Sequence, residues 1–440
     1  MKRFLTSVLF ILFLSSMIFA GGQTQAPAAS QEFAPRAPED YRGTITVWSF
    51  TDEPEYLIRR FNERYPNVNV EFTHTPGGQN YIARVNAAIT AGNLPDVFSA
   101  EISFLKRWTD ARNVWANLSQ PPFNAEAKIG NTIPYVADLG RDQNGNLRAL
   151  SFQATPGGVF YRRSLARTYL GTEDPARVQA LWPNLDAFLR VAANVRDRSN
   201  GNVHLFSSWW DLRWFFLNSR SQPWVVNNEL VIDPLILEYF DLARRIRQEN
   251  LSANALPGTP AWTSFMQEER VIAYVLPTWG QQLSIRPRVE PDGTPETFTG
   301  NWAVTEGPVP YFWGGTWWGV SETSQNKELA WLFLNFLMFN EDFLESYARE
   351  RGDFVSNLNV ISRMQEGFSD SFLGGQNTYA FWADAAMNID PSLTTRYDQD
   401  MEQFLRAAIS LYVDGEATFE QALAKFREDV STAFPAIRVR

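Results

Sequence analysis

The chain has 440 residues, a formal net charge of −10 and no cysteine. Its length exceeds the ~250–300 residues at which a single hydrophobic core usually divides, so we expect two lobes. The acidic balance without a long basic run argues against nucleic-acid binding, and the lack of cysteine excludes disulfides and a lipid anchor through cysteine. The aromatic content of 14%, with 16 Trp, is high and typical of a surface that stacks on a flat, apolar ligand.

The first 20 residues have the pattern of a secretory signal. Lys2 and Arg3 form a charged start, residues 4–19 are apolar, and Ala20 provides a cleavage point. A membrane anchor is the alternative, but the apolar run is shorter than the ~20 residues of a spanning helix. We therefore expect export to the periplasm or beyond the cell, with the signal cleaved near Ala20.

A flexible tether is predicted over residues 21–42, which are rich in Ala, Pro, Gln and Ser. The folded part then begins at Thr44 with alternating strand and helix patterns. This alternation is typical of a parallel sheet with helical crossovers. The strands are predicted at 44–50, 68–72 and from Pro95, and the helices run from Pro54 to Tyr65 and around 81–89.

The pattern becomes mixed after Leu150. Residues 151–161 are strand-rich and leave the first lobe, and residues 271–276 form a buried strand that ends at Pro277. Helices are predicted around 185–195, 235–248, 327–339, 399–412 and 419–434, the last with a capping box of Thr418 and Gln421.

The sequence offers few candidates for catalysis. His74 and His204 are its two histidines, and neither lies in a nucleophile-elbow context. With no cysteine and two distant histidines we expect no transition-metal site, and without a phosphate-binding glycine motif we expect no cofactor. Paired carboxylates remain open, because two acids that flank a stacked sugar are what a glycoside hydrolase requires.

Tryptophans and acids occur where predicted strands end. In open α/β sheets ligands bind at the carboxyl ends of strands, and aromatic faces stack on sugar rings while carboxylates hold hydroxyls. A single tryptophan is more often core than ligand contact, so the prediction depends on several of them lying in loops or at strand ends. These residues are Trp48, Glu101, Trp279, the group Trp209-Trp210-Asp211, and Trp313 and Trp317 on either side of Gly314-Gly315.

The glycine pair Gly314-Gly315 is expected to let the main chain turn and approach a ligand closely. Thr316 and Trp317 alternate across the following strand, so one of each neighbouring pair can face a cleft. Ser324 is predicted to cap the next helix. A plain glycine turn beside buried tryptophan is the alternative.

Six segments occur in an order and spacing shared with a known family. TITVWSF, FNERYPNVNV and AGNLPDVF, at 44–50, 61–70 and 91–98, resemble the N-terminal pattern of the extracellular solute-binding proteins of family 1, the carbohydrate receptors of ABC importers. FYRRSL, YVLPTW and GGTWWGVSETSQNKELAWLFLNF, at 160–165, 274–279 and 314–336, resemble later segments of that family. The chain departs from the family in lacking the lipidated cysteine, in QEERVIA at 267–273 and in GDFVS at 352–356.

The resemblance implies an α/β fold of the two-lobed periplasmic-binding-protein type (type II), with a sheet flanked by helices in each lobe and hinge crossovers between them. The first lobe is expected to comprise residues 43–150 plus 276–314, and the second 151–275 plus 315–440.

The resemblance also implies ligand binding without catalysis. Ligand contacts carry over to Trp279, Gly315 and Thr316, and Trp48, Glu101 and Gln153 match positions that line the cleft in relatives. Together with Trp209, Trp210 and Trp317, these residues form the predicted site.

The expected function is that of an exported receptor. Its lobes close by a hinge motion around a sugar or small oligosaccharide and deliver it to the membrane permease subunits of an ABC importer. We expect a monomer with no metal and no nucleic-acid partner. A secreted glycosidase that uses a carboxylate pair is the alternative, and an adhesive surface protein is disfavoured because the sequence has no repeats.

Overall fold

The computed structural model describes residues 32–289 and 298–439. The predicted signal over residues 1–20 and the first part of the predicted tether lie outside the described residues. Within the described ranges, none of the helices combines the length and apolar character needed to cross a membrane.

Strands and helices alternate along most of the chain, and helices dominate its C-terminal part. The strands are β1 (Gly43–Ser49), β2 (Val68–His74), β3 (Val97–Glu101), β4 (Gly157–Arg162), β5 (His204–Phe206), β6 (Val225–Val226), β7 (Glu229–Leu230), β8 (Val271–Pro277), β9 (Trp302–Thr305) and β10 (Thr316–Val320). The helices are α1 (Pro54–Arg64), α2 (Gly78–Ala91), α3 (Ile102–Thr109), α4 (Pro134–Leu139), α5 (Arg163–Leu170), α6 (Pro175–Gln179), α7 (Leu185–Arg198), α8 (Arg213–Leu217), α9 (Pro234–Gln248), α10 (Pro260–Ser264), α11 (Arg286–Val289), α12 (Lys327–Phe339), α13 (Glu341–Arg351), α14 (Leu358–Gly367), α15 (Thr378–Met387), α16 (Asp398–Val413) and α17 (Phe419–Ala433).

The first sheet has the strand order β10-β3-β1-β2. β1 runs parallel to β2 and β3, as the alternating pattern predicts, while β10 is antiparallel to β3. Val47 of β1 has no exposed surface, and Phe61 of α1 packs edge-on against Phe333 of α12 with 5.1 Å between ring centroids. The parallel strands end at one edge of this sheet, where Trp48 and Glu101 lie.

The second sheet has the order β5-β8-β4-β9. β4 is antiparallel to β8 and β9, and β5 is parallel to β8. Every residue of β4 and β8 is buried, because side chains pack against both faces of the sheet. Neighbouring residues of a strand face opposite ways, so Val159 and Tyr161 join one core with α7, α9, α16 and α17, while Phe160 joins the other.

The expected division into lobes is wrong around its last two strands. β9 pairs with β4 in the second sheet, although the prediction places residues 276–314 in the first lobe. β10 pairs with β3 in the first sheet and α12 packs against α1, although the prediction places residues 315–440 in the second lobe. Both strands are short and buried on both faces, so strand pairing, which the local pattern does not encode, decides the sheet.

The described part of the predicted tether packs against the first lobe. Phe33 contacts Phe123 edge-on at 5.8 Å between centroids, and Arg36 pairs with Glu328 of α12 at 2.6 Å. Tyr41 is buried. The prediction of a flexible tether is therefore wrong for residues 32–42, because aromatic and charged side chains of this segment find partners on the fold.

Helix capping follows the prediction at one helix and differs at another. Thr418 and Gln421 form the predicted capping box of α17. The N-cap residue of α12 is Asn326 and not Ser324. The Ser324 hydroxyl instead donates to Asp96 Oδ1 at 2.6 Å and accepts from the Asn326 amide, so it ties the start of α12 to the loop before β3.

Candidate functional site

The edge of the first sheet presents Trp48 from the end of β1. The side chain is half-buried, and the Arg84 guanidinium lies over its ring at 4.3 Å from the centroid. The Tyr81 hydroxyl donates to the Trp48 carbonyl at 3.1 Å, which holds the strand end in place. One aromatic face is thus covered by an arginine, and the rest of the ring keeps some exposed surface.

Glu101 ends β3 and also caps α3. Its Oε2 accepts from the Ser103 amide at 2.9 Å and from the Ser103 hydroxyl. Burial raises the pKa of the Glu101 carboxyl to about 7, and the Ser103 hydrogen bonds oppose that rise. The Glu402 carboxylate adds to the increase in pKa and the Arg213 guanidinium opposes it, so charges of the second lobe reach this first-lobe acid.

The glycine pair lies in the crossing from β9 to β10. Gly314 has φ +81° and Gly315 has φ +101°, in the left-handed region that glycine tolerates. A Cβ at Gly314 would lie 2.5 Å from Trp279 Nε1, and one at Gly315 would lie 2.8 Å from the Trp317 ring. The two glycines therefore let the main chain turn and approach other groups closely, as predicted. The groups that they approach are the indole rings of Trp279 and Trp317, which belong to the chain itself.

Trp279 and Trp313 form an aromatic pair beside this turn. Both are half-buried, their rings meet edge-on at 4.7 Å between centroids, and Trp279 Nε1 donates to the Trp313 carbonyl at 3.1 Å. Trp313 also stacks on Trp214 of α8 at 4.9 Å. The crossing segment and the second lobe thus share one continuous aromatic wall.

Several predicted site residues lie inside the lobes. Trp317 has no exposed surface and its Nε1 donates to the Val136 carbonyl at 2.9 Å, so it is core, and its predicted contact with a ligand is wrong. Trp318, its neighbour, has no exposed surface either. Thr316 is buried and pairs with Glu101 across the sheet.

Gln153 is also buried, in the first crossing between the lobes. Its Nε2 donates to Asp353 Oδ2 at 2.7 Å, so its side chain already has a carboxylate partner. Trp209 and Trp210 are buried in the second lobe, and the Trp209 carbonyl accepts from the Tyr239 hydroxyl at 2.8 Å. The Trp210 ring lies under the Arg213 guanidinium, 4.8 Å from its centroid.

Arg213 is the residue that sequence reasoning missed. It is 5% exposed and lies 4.1 Å from the Trp214 ring and 5.1 Å from the Trp313 ring. Its Nε donates to Glu402 Oε1 at 2.7 Å and its Nη1 to the Trp210 carbonyl at 3.0 Å. The aromatic doublet Trp209-Trp210, followed by Asp211, Arg213 and Trp214, was the available signal, since a desolvated arginine is often stacked on indole rings.

Two cavities meet at Trp313. One lies between the lobes and is lined by Ile102 and Ser103 of α3, by Trp214 and Arg220, and by Glu402 of α16. The other lies within the second lobe. Its wall includes Asp211, Arg213, Trp262, Tyr274, Ser284 and Trp313.

Polar groups around these cavities lack partners in the described part of the chain. They are Tyr274 Oη and Trp262 Nε1 at the cavity within the second lobe, and Trp214 Nε1 and Arg220 Nη1 at the cavity between the lobes. Four core tryptophans share this property, but Trp108, Trp115, Trp302 and Trp318 do not line either cavity. Burial raises the pKa of Asp211 to about 6, so an acid beside these donors is also under-solvated.

The arrangement can bind a solute rich in hydroxyl groups. Aromatic faces, unpaired donors and under-solvated carboxyls occur together at Trp313. The two histidines differ in burial, since His74 is exposed and His204 is buried. Within the described ranges, no group of three or more His, Cys, Asp or Glu residues is arranged to hold a metal ion.

The chain matches a family model over residues 48–342, and the description of that family is "Bacterial extracellular solute-binding protein". Solved structures with the same fold include an extracellular solute-binding protein of family 1, at 16% identity and a TM-score of 0.74, over 89% of this chain and 99% of that one. An ABC transporter associated binding protein of B. animalis subsp. lactis, in complex with β-1,6-galactobiose, is 14% identical with a TM-score of 0.73, over 91% and 100%.

A third similar structure is the sugar-binding protein MalE of Xanthomonas citri, at 16% identity and a TM-score of 0.68, over 89% of this chain and 97% of that one. At these identities the likeness shows the fold. It confirms the predicted α/β architecture of two lobes with helix-flanked sheets.

Proposed function

We propose a function on the premise that this chain belongs to the bacterial extracellular solute-binding proteins. The protein captures a sugar or small oligosaccharide between its lobes and delivers it to the membrane permease of an ABC importer. It is exported, acts as a monomer and leaves its ligand chemically unchanged. Family membership supports the binding role, and the composition of the cleft supports a sugar as the ligand.

One observation carries the choice of a sugar. Tyr274 Oη and Trp262 Nε1 are buried without partners beside Asp211, in the wall that also holds Trp313. A buried donor left unpaired costs about 1–3 kcal/mol. A sugar hydroxyl both donates and accepts, so it can satisfy such a donor and the carboxylate together while the ring stacks on indole.

A glycosidase with the same cleft is the alternative, and it differs from a receptor in what it does to an aryl glycoside. Glu101 and Asp211 have raised pKa values, and a raised pKa is also what a general acid needs. A hydrolase would turn over an aryl glycoside steadily. The receptor binds the same compound, if at all, without releasing the aryl group.

A thermal-shift screen over a sugar panel tests the proposal. The panel contains D-glucose, D-galactose, D-tagatose, maltose, lactose, β-1,6-galactobiose and maltotriose, with amino acids and a polyol phosphate as controls. A ligand at about 100 times its Kd stabilises the native state by about 2.7 kcal/mol, which raises the melting temperature by a few degrees. If the controls raise the melting temperature and every sugar fails to do so, the ligand is not a sugar.

A further inference from the structure

Helix α16 belongs to the second lobe by its packing. Met401 and Leu405 are buried in the second core, and the helix packs against α17 and α9. Its buried face therefore moves with the second sheet.

The first turns of the same helix contact the first lobe. Arg107 Nη2 of α3 pairs with Asp400 Oδ2 at 2.5 Å, and both side chains are about three-quarters buried, with 28% and 22% exposed. Gln79 Nε2 of α2 donates to Gln403 Oε1 at 3.2 Å. Both contacts join elements that pack on different sheets, so they form only when the lobes are near each other.

Glu402, which lies between these two contacts along α16, lines the cavity between the lobes. Glu402 Oε1 accepts from Arg213 Nε at 2.7 Å. Successive residues of an α-helix are about 100° apart around its axis, so Glu402 projects from a different side than Asp400 and Gln403. One helix turn thus holds both the junction between the lobes and the arginine in the cavity wall.

The junction has the character of a contact that forms and breaks. It is made of charged and amide side chains, as in interfaces between domains that move. Arg107 Nε and Gln399 Oε1 are buried at this junction without partners among the residues described. A permanent interface normally satisfies such groups.

We infer that Glu402 is a positioning residue for Arg213, and that α16 couples this positioning to lobe closure through Asp400 and Gln403. The ligand-facing part of this inference rests on the proposed function, because Arg213 is taken to meet the solute. When the lobes separate, Asp400 loses Arg107, α16 is released at its N-terminal end, and Glu402 holds Arg213 less firmly.

A distance measurement without any sugar tests the junction. The sequence has no cysteine, so spin labels attach only at introduced sites, for which we choose the exposed positions Ala87→Cys on α2 and Ala407→Cys on α16. In this labelled protein we expect a dominant short inter-label distance. Asp400→Asn should lower the ratio of short to long distances about two- to fivefold, the range for a partly exposed ion pair.

The matched control is Glu341→Gln. It breaks the pair of Glu341 with Arg363 at 2.8 Å, which joins α13 and α14 within the first lobe. This variant should leave the distance distribution unchanged. If Asp400→Asn also leaves it unchanged, or if both variants change it equally, α16 does not join the lobes in the way inferred.

A spectroscopic measurement tests the positioning role. In protein labelled with ¹⁵N-arginine, the Nε–H signal of Arg213, assigned with Arg213→Lys, should exchange slowly with water. Glu402→Gln should speed this exchange at least tenfold and shift the signal, while the melting temperature changes little. An unchanged Arg213 signal in Glu402→Gln overturns the assignment. Neither measurement uses a sugar. A sugar screen without a hit would therefore overturn the proposed function, whereas a negative result here would overturn the inference about α16.

Discussion

At the scale of single residues, Glu53 is an unusual group, because it is a buried acid between β1 and α1. The Tyr347 hydroxyl lies within hydrogen-bond distance of Glu53 Oε1 and of Asp353 Oδ2, the latter at 3.1 Å, and Asp353 also binds Gln153. Burial raises the pKa of Glu53 to about 7, and the Asp353 charge adds to the rise. The folded chain therefore holds the Glu53 proton over a pH range in which the unfolded chain has already lost it.

This proton gives a prediction with a definite sign. Because the unfolded state binds fewer protons between the ordinary carboxyl pKa of 4.5 and about 7, stability falls as the pH rises through that window. Glu53→Gln removes the ionisation, so at pH 8 the variant should be more stable than the wild type by about 2–3 kcal/mol, and at pH 5 nearly equal to it. Urea unfolding at both pH values measures the difference.

The control for this prediction is Glu55→Gln on the exposed side of α1. It should change stability equally at both pH values. A Glu53→Gln variant whose stability relative to the wild type is the same at pH 5 and pH 8 would contradict the raised pKa.

Replacing Trp317 by alanine should mainly reduce stability, whereas replacing Trp279 by alanine should mainly reduce sugar binding. Trp317 has no exposed surface, so Trp317→Ala should destabilise the protein by about 3–5 kcal/mol. Trp279 is half-buried beside Trp313, so Trp279→Ala should weaken sugar binding at least tenfold with a much smaller loss of stability. Urea unfolding and calorimetric titration separate the two, and equal stability losses would place Trp279 in the core as well.

The residues of the site could be predicted only in part. Trp48, Glu101 and Trp279 are predicted from their positions at strand ends; the structure leaves each of them partly exposed, and their contact with a ligand stays a prediction. Trp317 could not be told from a cleft residue, because its strand is buried on both faces and shows no alternation. Arg213 has a local signal in the tryptophans beside it, but its carboxylate partner Glu402 lies far along the chain on α16, and no local pattern gives that pairing.

At the scale of elements, the helices and strands were more predictable than their partners. α12 begins and ends at the predicted residues, and the βαβ order of the first lobe gives its parallel strands. The lobe assignment of β9 and β10 was wrong, because two short apolar strands on either side of a glycine turn suit either sheet equally well. Their sheet is chosen by tertiary pairing.

The cap of α17 gives a test at this scale. Gln421 amide N–H donates to the Thr418 hydroxyl at 3.3 Å, and the Gln421 side chain accepts from the Thr418 amide at 2.9 Å. Thr418→Ala leaves the first-turn donor without this partner and should cost about 1 kcal/mol. Ser431→Ala, in the last turn of the same helix, should stay within about 0.5 kcal/mol of the wild type. Urea unfolding measures the stability of both variants. Equal losses would show that the Thr418 cap does not stabilise α17.

At the scale of the whole molecule, two sheets share one chain that crosses between them repeatedly. The chain enters the second sheet at β4, returns to the first at β10, and enters the second core again at α16. We expect these crossings to act as the hinge about which the lobes open and close. The aromatic wall at Trp313 lies in one of these crossings, so under the proposed function the same segment would take part in closure and in ligand contact.

The most direct measurement is a fluorescence titration followed by analysis of the sugar. The sugar that gives the largest thermal shift is added to the wild-type protein while tryptophan emission is recorded, and the recovered sugar is then analysed by chromatography. We predict saturable quenching and a sugar recovered intact after prolonged incubation. Emission that never changes, or a sugar recovered in pieces, would contradict capture between the lobes by a binding protein.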